Sequence, residues 1–590
     1  MKMKYMNKSL LFSVIGLSLM ACSNNDENKL LPPGSESSVT TGYLSIKLAM
    51  SPGLPGSKAG DPNYVDGSPT ENNINAVRFF FFDSAGNPAP VWQQAASGTY
   101  ASYLDWLPTD ADQSYSNVEG ETVEKIVNAT LGINVPSQAS MPEMVLAIVN
   151  PVEAIVNITD NPTLDELRLI VADYYTGLTN NNFVITNSTY ADNGTLIDAT
   201  PIEDSNLAQT VEDAMKNPLV IYVERALARL DLSINIPDGV ELPDGSGYMY
   251  SVSDEPYQVG GQNQEIYVKF LGWNITSTPN ASRLVKKISP SWNTNIFGNL
   301  VPWNSDDYHR SFWAINPEDD DFDYLYGNYN GAMDAASGNY QPAMANEVPG
   351  EGESVTAYMQ ENAAIYSETE DANGPAVPSK VIIAAQLLNS DAEPLTLAYW
   401  ANRYYTLDGI LAAAANSLNL YQAKTSDGNT IFTQIGPNDL DVVSATELYG
   451  EELPDDVAGY YVYVQLTEDA SKITWYNGNT LTSPTLTTQQ ANNYIIDRVN
   501  YFMLWQSGQT YYYFDIKHLG ALGNPGYLGV VRNHVYRANI TSVAGLGTPV
   551  FKPGEIIYPE TPEYDDAVIS AQIQVLQWRI VSQDYELVWP

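Results

Sequence analysis

Residues 43–60 read YLSIKLAMSPGLPGSKAG. In the first half of this stretch, every second position is apolar: Leu44, Ile46, Leu48 and Met50. This spacing predicts an extended strand with one apolar face. The Pro- and Gly-rich run that follows cannot continue a strand, and it leads to a lone basic residue, Lys58, followed by Ala59.

Two interpretations of this stretch are open. An exposed lysine in a flexible loop is a suitable site for a trypsin-like protease. In the first interpretation, the strand fills a groove in the protein, is cut away after Lys58, and leaves the groove for a neighbouring copy. In the second, residues 43–50 are an ordinary first strand and residues 51–60 an ordinary loop.

The N-terminus has the features of a bacterial export signal. Three lysines within the first eight residues precede an apolar run, residues 10–20, which is too short to span a bilayer as a stable helix. The signal peptide is therefore predicted at 1–21. Cys22 follows it and resembles the cysteine of a bacterial lipobox, which is diacylated and anchors the chain to a membrane; the alternative is a chance cysteine. It is the only cysteine, so no disulfide can form within the chain.

The charge and composition exclude several classes of partner. The formal net charge is −43 over 590 residues, and removal of the three signal-peptide lysines makes it −46. A surface this acidic repels nucleic acid and anionic lipid, so no nucleic-acid partner is expected. The 44% hydrophobic residues and the 40 tyrosines indicate a globular chain that favours strands. The length predicts more than one domain.

Apolar patterning predicts the elements of the chain in order: strands at 74–82, 145–149 and 219–236, helices at 163–175 and 207–216, then a long surface loop at 317–352, strands at 381–388, 395–400, 501–505, 510–517 and 530–543, and helices at 407–420 and 489–499. A capping box of Thr163 and Glu166 begins the first helix. The strand at 219–236 is interrupted near Glu224 and Arg225, where a domain boundary is predicted. The predicted units are 22–58, 59–225, 226–566 and 567–590.

The C-terminus ends in apolar strand segments instead of a polar tail. Apolar residues alternate with polar ones in three groups: Ile573 and Val575, then Leu576, Trp578 and Ile580, then Tyr585, Leu587 and Trp589. The phase of the alternation slips between Val575 and Leu576, which predicts a bulge or break there. The alternatives are a strand paired within its own domain and a strand donated to a neighbour.

No catalytic or metal-binding pattern is found. The three histidines, His309, His518 and His534, have no spacing that would make a metal site, and a structural role is predicted for His534. The acidic run at 318–323 resembles a calcium loop only in its alternating aspartates, because Tyr324 and Asn330 stand where the EF-hand loop needs Gly and Glu. No nucleophile, phosphate-binding or zinc-protease motif occurs. We therefore expect no enzyme activity, no cofactor and no metal.

Several segments, in order along the chain, are similar to one family: FVITNSTY at 183–190, AMKNPLVIYVERALARL at 214–230, RSFWA at 310–314, Glu361-Asn362, the hairpin at 381–399, RNHVYRANITSVAGLGTPV at 532–550, and the C-terminal pattern Ile573, Val575, Trp578, Gln583 and Leu587. The chain resembles the fimbrillins of type V fimbriae from anaerobic Gram-negative bacteria, in particular those that form the shaft of the minor fimbrium. The RNHVYRANITSVAGLGTPV segment is the most specific of these matches.

The resemblance implies a mainly β fold of two transthyretin-like β-sandwich domains with a few short helices. It implies a precursor lipoprotein, acylated at Cys22 and held at the outer membrane. A trypsin-like protease removes the strand that carries Leu44, Ile46, Leu48 and Met50 by cutting between Lys58 and Ala59. The known relatives have Arg before the cut, so the identity of the protease is open.

The resemblance also implies how the subunits assemble. A donor strand of one subunit enters the vacated groove of the next, head to tail, and the donor residues are among Ile573, Val575, Trp578, Ile580, Tyr585 and Leu587. Anchor and tip subunits complete a cell-surface fimbrium that supports adhesion and biofilm formation. Which C-terminal segment enters the groove is open.

Two other functions compete with a shaft subunit. A glycan-binding surface lipoprotein of a nutrient-uptake system would share the lipobox and the acidic surface, but the common ones are helical-repeat proteins, and no repeat of 30–40 residues occurs. A fimbrial anchor would lack the cut at Lys58, and a tip subunit would lack the C-terminal donor strand. This chain has both the lysine at the predicted cut and the predicted C-terminal donor strand.

Overall fold

A computed structural model describes residues 40–50, 67–93, 99–109, 113–114, 125–137, 140–178, 182–192, 195–287, 315–317, 322–333, 346–350, 352–362, 377–450, 453–454, 457–518, 528–555 and 570–577. Over these residues the chain is mainly β, with eight short α-helices. None of the helices in these ranges is long and apolar enough to cross a membrane.

The N-terminal part contains fifteen strands and four helices in the described residues. The strands are β1 (Thr40–Met50), β2 (Val77–Phe82), β3 (Val91–Gln93), β4 (Thr99–Ala101), β5 (Tyr103–Trp106), β6 (Gln113–Ser114), β7 (Lys125–Val135), β8 (Met144–Val149), β9 (Val171–Ala172), β10 (Ile185–Asn187), β11 (Tyr190–Asp192), β12 (Thr195–Ile197), β13 (Thr200–Pro201), β14 (Leu207–Ala208) and β15 (Leu219–Arg225). The helices are α1 (Glu153–Val156), α2 (Leu164–Leu169), α3 (Tyr175–Leu178) and α4 (Val211–Lys216).

Ten of these strands form one sheet. Its order is β5-β2-β8-β10-β15-β1-β7-β6, with β13 beside β8 and β14 beside β1. Strands from both halves of this order send apolar side chains into a single core, so the sheet folds over itself as a sandwich. Alternate residues of β2, such as Phe80 and Phe82, instead face a second cluster with α2. The run of four phenylalanines is therefore buried on both faces, as predicted.

The C-terminal part begins at β16 (Leu227–Ile234). Its other strands are β17 (Val240–Glu241), β18 (Tyr248–Ser251), β19 (Tyr257–Val259), β20 (Gln262–Gln264), β21 (Tyr267–Thr276), β22 (Thr278–Pro279), β23 (Ser282–Arg283), β24 (Tyr324–Leu325), β25 (Val355–Gln360), β26 (Lys380–Leu388), β27 (Leu397–Trp400), β28 (Arg403–Tyr405), β29 (Leu420–Ser426), β30 (Asn429–Gln434), β31 (Leu440–Ser444), β32 (Tyr461–Leu466), β33 (Trp475–Asn477), β34 (Thr485–Leu486), β35 (Phe502–Trp505), β36 (Gln509–Asp515), β37 (His534–Ser542), β38 (Thr548–Pro549) and β39 (Ser570–Gln577). Its helices are α5 (Tyr329–Met333), α6 (Leu407–Ser417), α7 (Ala445–Tyr449) and α8 (Thr488–Val499).

Two sheets of the C-terminal part enclose a large core. One has the order β25-β16-β37-β39 and the other β17-β18-β21-β26-β36-β38. Side chains from both sheets, such as Leu230 of β16 and Trp273 of β21, belong to the same apolar cluster. This face-to-face arrangement is a second β-sandwich. The predicted mainly β sandwich fold is confirmed.

A further sheet with two covering helices is formed mainly by residues from β27 to β35. The seven-stranded sheet β20-β19-β28-β27-β35-β32-β31 is covered by α6 and α8, which share its apolar cluster. Both helices begin with a threonine cap, because the side chains of Thr406 and Thr487 accept hydrogen bonds from backbone N–H groups of the first turn. The sequence predicted both helices, with two of the four ends at the observed residue and the other two within three residues of it.

Other predicted elements differ from those in the structure. The helix at 163–175 has its capping box but ends at Leu169, because Val171 and Ala172 are extended and pair with β23. The helix at 207–216 begins only at Val211, because Leu207 and Ala208 pair with β1. In both places, backbone pairing with a distant strand outweighs a local helical pattern.

The region predicted as a long surface loop at 317–352 contains ordered structure. Tyr324 and Leu325 form β24, and Tyr329 in α5 is almost completely buried. The Tyr329 hydroxyl donates a hydrogen bond to the backbone oxygen of Ala385 at 2.8 Å. The few packed residues are not apparent among the many polar ones in the sequence. The prediction of a surface loop is therefore wrong for β24 and α5. The predicted break near Glu224 and Arg225 is confirmed, since Ala226 separates β15 from β16.

Candidate functional site

β1 lies inside the N-terminal sheet with a partner on each side. It runs antiparallel to β7 along its whole length, from Thr40 opposite Val135 to Met50 opposite Lys125. On its other side it pairs first with β14, antiparallel, and then with β15, parallel. The predicted strand is therefore confirmed, and it occupies a central position.

The side chains predicted to share one face of β1 belong to the core. Leu44, Ile46 and Leu48 are completely excluded from solvent and pack in the main cluster of the N-terminal sheet. Full burial of a side chain of this size contributes about 1.5–3 kcal/mol, so the three together contribute about 4.5–9 kcal/mol before ordering entropy is subtracted. The side chain of Met50 lies outside the described residues. Loss of β1 would open two sheet edges, at β7 and β15, and uncover this core.

The two ends of β1 point in opposite directions along the molecule. Met50 lies beside Val223 of β15, and β15 continues through Ala226 into the C-terminal part. The Met50 end therefore faces the junction between the two parts. The Thr40 end points away from the junction, and α4 packs there against β1, β7 and β14.

The connection from β1 to β2 starts and returns at the junction. β1 ends beside Val223. Near the other end of the connection, the backbone oxygen of Glu71 accepts a hydrogen bond from Arg225 Nε at 3.1 Å. Residues 51–66, which include the predicted cleavage pair Lys58 and Ala59, lie outside the described residues, as does Cys22. Both described ends of the connection are thus held close to one end of β15.

Glu71 occupies a buried pocket at this junction. Its carboxylate is excluded from solvent, lies 3.2 Å from Arg229 Nη1, and accepts a hydrogen bond from the Tyr358 hydroxyl at 3.0 Å. Burial by itself raises the pKa of Glu71, but Arg229, Arg225 and hydrogen bonds from Ser68 outweigh it and hold that pKa below its usual value. The carboxylate is therefore ionised and ties the start of β2 to the C-terminal part.

Two further buried ion pairs lie near the junction; the first joins the two parts, and the second lies within the C-terminal part. Lys286 Nζ lies 3.0 Å from Glu224 Oε1, and both side chains are fully excluded from solvent. Arg532 Nη2 lies 2.8 Å from Glu361 Oε2. Burial raises the pKa of Glu224 in spite of the neighbouring Lys286. Because Glu224 is in β15, this strand is bonded at one edge to β1 and at its end to the C-terminal part.

The C-terminal strand pairs within its own chain. β39 runs antiparallel to β37 at the edge of the four-stranded sheet. Gln577 lies opposite His534, near the junction, and Ser570 lies opposite Ser542, at the far end of the C-terminal part. The predicted donor residues Ile573 and Val575 are in this strand, and Trp578, Ile580, Tyr585 and Leu587 lie outside the described residues. The donor role concerns a neighbouring chain and stays a prediction.

The predicted break in this strand is absent from the described part. The register passes from Val575 to Leu576 without a shift, and the irregularity is instead between Ile540 and Ser542 of β37. Backbone pairing sets the register, and a change in the apolar phase of an edge strand does not interrupt it.

The described histidines are core residues. His518 Nδ1 is 2.9 Å from the Tyr536 hydroxyl, and His534 Nδ1 is 2.8 Å from the backbone oxygen of Arg532. Burial raises the pKa of Tyr536 well above its usual value. His309 and residues 318–321 of the acidic run are outside the described ranges. Within those ranges, no cluster of three or more His, Cys, Asp or Glu side chains could hold a metal ion.

Comparison with known proteins gives one family match. Residues 503–584 match the family described as "Major fimbrial subunit protein type IV, Fimbrillin, C-terminal". This part of the chain is similar to the C-terminal region of fimbrillins. The match confirms the fimbrillin resemblance. No curated protein sequence matches the chain.

Solved structures of low identity also resemble this chain. They include a fimbrilin (FimA) from Porphyromonas gingivalis, with 12% identity over 92% of this chain and 99% of that one and a TM-score of 0.32. The tip fimbrial protein Mfa3 from the same species, with C-terminal truncation, has 11% identity over 91% and 100% and a TM-score of 0.29. A putative cell adhesion protein from Parabacteroides distasonis has 11% identity over 91% and 97% and a TM-score of 0.31. These scores are all below 0.5, so the family assignment rests on residues 503–584.

The fimbrillin region contains most of β35 and all of β36 to β39. It therefore supplies one core strand of each C-terminal sandwich sheet, together with the C-terminal strand. The residues that the sequence did not single out are those of the junction, above all Glu71 and Lys286. A signal for the junction was present in Glu224 and Arg225, two charged residues inside an otherwise apolar alternating strand, which indicate buried pairing partners.

Proposed function

We propose that this fimbrillin is the structural shaft subunit of a cell-surface fimbrium, polymerised by strand exchange after cleavage at Lys58. The observation that carries the proposal is the position of β1. It is the first described strand, it lies in the centre of its sheet, and it buries Leu44, Ile46 and Leu48 completely. A Pro- and Gly-rich segment with a lone lysine follows it directly.

The covalent link explains why the subunit does not polymerise before cleavage. While β1 is attached, its effective concentration at its own site is in the mM range or above, and a strand from another molecule cannot compete. Cleavage after Lys58 turns this intramolecular contact into one that can dissociate. A donor strand then restores both backbone ladders, one against β7 and one against β15.

The C-terminal strand is the donor in this proposal. β39 is paired with β37 in its own chain, so it leaves that position before it enters another subunit. Residues 570–590 separate from β37 and enter the neighbouring subunit. Repetition of this head-to-tail contact is open and produces a filament.

Export and processing complete the proposal. Cys22 is acylated, and the lipoprotein precursor is held at the outer membrane until a trypsin-like protease removes residues 22–58. Partners are identical subunits in the shaft and the anchor and tip subunits at its ends, and the fimbrium supports adhesion and biofilm formation. The subunit itself has no catalytic role.

The test is the N-terminal residue of the protein in filaments sheared from cells. We expect Ala59 in filaments and only a lipidated precursor, without filaments, in Lys58→Gln. The matched control is Lys472→Gln, an exposed lysine far along the chain, which leaves filaments intact. A lipid-blocked Cys22 in sheared filaments would overturn the proposal and favour an anchor subunit or a glycan-binding lipoprotein.

A further inference from the structure

One lysine and one glutamate at the junction make a contact that is completely closed to solvent. Lys286 Nζ lies 3.0 Å from Glu224 Oε1, and neither side chain has any exposed surface. In the described part of the chain, this nitrogen and both carboxylate oxygens have no hydrogen-bond partner of good geometry, so even their mutual contact is not aligned as a hydrogen bond. A buried ion pair is normally completed by hydrogen bonds, and this one lacks that compensation.

Backbone pairing holds the two side chains against each other. Glu224 is in β15, where Thr186 of β10 lies opposite it. Lys286 follows shortly after Arg283, the last residue of β23, and β23 pairs with β9 of the N-terminal part. The Thr189 hydroxyl also donates a hydrogen bond to the backbone oxygen of Lys286 at 3.5 Å. Neither segment can therefore move away from the other without breaking backbone contacts at the junction.

The surroundings of this pair favour the loss of its charges. Burial raises the pKa of Glu224, although Lys286 and Arg532 act in the opposite direction. Transfer of a proton from the ammonium group to the carboxylate leaves an uncharged amine and an uncharged acid, which are less costly to bury than the ions. An uncharged lysine amine is a nucleophile. The pair thus places a nucleophile beside a carboxyl group in a site that excludes bulk water.

We propose that Lys286 and Glu224 condense into an amide bond in the folded chain, which cross-links the junction covalently. The Lys286 Nζ–Glu224 Cδ bond forms and one Cδ–Oε bond breaks. The released oxygen leaves as water with two hydrogens from the ammonium group, so the step needs no oxidant, reductant or co-reactant. Because water is a product and the site excludes it, the reverse hydrolysis is disfavoured.

The distance between the reacting atoms suits this reaction. Glu224 Cδ is bonded to the oxygen that lies 3.0 Å from Lys286 Nζ. With a carbon–oxygen bond of about 1.23 Å, the nitrogen and the carbon are at most about 4.2 Å apart. A small movement of either side chain brings them to the reactive distance of about 3–3.5 Å.

The cross-link closes a loop of the chain between residues 224 and 286. This loop contains β16 and every strand up to β23. A cross-link of this kind restrains the unfolded chain and so favours the folded state. Pulling on the chain from outside the loop also cannot extend residues 225–285, because the bond carries the force past them. The junction between the two parts is therefore held by more than non-covalent contacts, whether or not β1 is later removed.

The test is a tryptic digest of the protein purified from cells and denatured before digestion. Trypsin cuts after unmodified Lys and Arg, so the bond should join peptide 217–225 to peptide 284–287 in one branched product. The mass of this product should be lower than the sum of the two linear peptides by one water molecule, and its fragments should place the link at Glu224 and Lys286. Recovery of 217–225 and 284–286 as linear peptides, without the branched product, would overturn the proposal.

A second lysine–carboxylate pair gives the matched control in the same digest. Lys380 Nζ lies 2.7 Å from Asp515 Oδ1 in a regular hydrogen bond, and the two side chains are 8% and 24% exposed. We expect Lys380 and Asp515 only in linear peptides, because water reaches this pair. A link at both pairs would indicate a product of sample handling and would count against the proposal.

Migration in denaturing electrophoresis gives an independent test. A denatured chain with a closed loop is more compact than a linear one and migrates faster. Lys286→Met removes the nucleophile and should migrate more slowly than the unsubstituted protein, whereas Lys380→Met should migrate with the unsubstituted protein. The comparison is made on denatured chains, so it holds even if Lys286→Met does not fold. Equal migration of all three proteins would overturn the proposal.

Discussion

Glu71 joins the two parts of the chain through one buried carboxylate. In Glu71→Gln, Arg229 keeps its ion pair with Asp231 at 2.7 Å, so no charge is left without a partner. We therefore expect the substitution to lower the free energy of unfolding at pH 7 by about 1–3 kcal/mol, the range for a lost hydrogen bond to a charged group. The pKa of Glu71 is held below its ordinary 4.5, so its contribution is fully present above about pH 4.5 and is lost as the pH falls through the folded-state pKa.

The measurement is urea unfolding of the precursor at pH 7 and at several values below pH 4.5. The difference between the unsubstituted chain and Glu71→Gln should be largest at pH 7 and shrink in acid. Glu255→Gln, a change at an exposed glutamate, is the control and should show no difference at any pH. A gap that stays constant or widens in acid would contradict the ionised state assigned to Glu71.

At the scale of strands and helices, patterns that depend on neighbours in sequence predicted the structure well. The alternation in β1 could be read directly because the residues on its buried face recur with period two, and the apolar run of β2 could be read because both of its faces are buried. The capping box at Thr163 also predicted where α2 begins. These features are local, so the sequence contains them.

Features set by distant partners could not be predicted. α2 ends early because the next residues pair with β23, more than a hundred positions away. Tyr329 is buried against β26, where its hydroxyl donates a hydrogen bond to the backbone oxygen of Ala385. The polar sequence around Tyr329 does not reveal this distant partner. The same holds for the candidate site: β1 was predicted from its own residues, but its place between β7 and β15 and the pocket of Glu71 depend on the fold.

β1 itself allows a prediction that separates precursor from mature subunit. Ile46→Ala should lower the free energy of unfolding of the precursor by about 2–5 kcal/mol, because the buried side chain leaves a cavity. After cleavage the variant and the unsubstituted chain are chemically identical, so filaments of both should have the same stability to denaturant. Ile133→Ala, at a fully buried site on β7, is the control and should weaken both precursor and filament. Filaments weakened by Ile46→Ala would mean that β1 is retained.

At the scale of the whole molecule, the proposed assembly joins cleaved chains that each carry a formal charge of −46, because the removed residues 1–58 contain six lysines and three acidic residues and the full sequence carries −43. Salt screens the repulsion between them, with a Debye length that falls from about 30 Å at 0.01 M to about 8 Å at 0.15 M. Elongation by cleaved subunits, followed by light scattering, should therefore become severalfold faster over this range of NaCl concentration. An interface held mainly by ion pairs would instead slow down as salt is added.

Substitutions at two glutamates test where on the surface that repulsion acts. Glu212, on α4, which packs against β1, and Glu468, elsewhere on the surface, have side chains 87% and 89% exposed, and each lies four residues before a lysine. Glu212→Lys should speed elongation at low salt and reduce its dependence on salt, because it removes a negative charge from the facing ends. Glu468→Lys changes the net charge by the same amount and should have a much smaller effect. Equal effects of the two variants would mean that total charge, and not the contact between subunit ends, controls the rate.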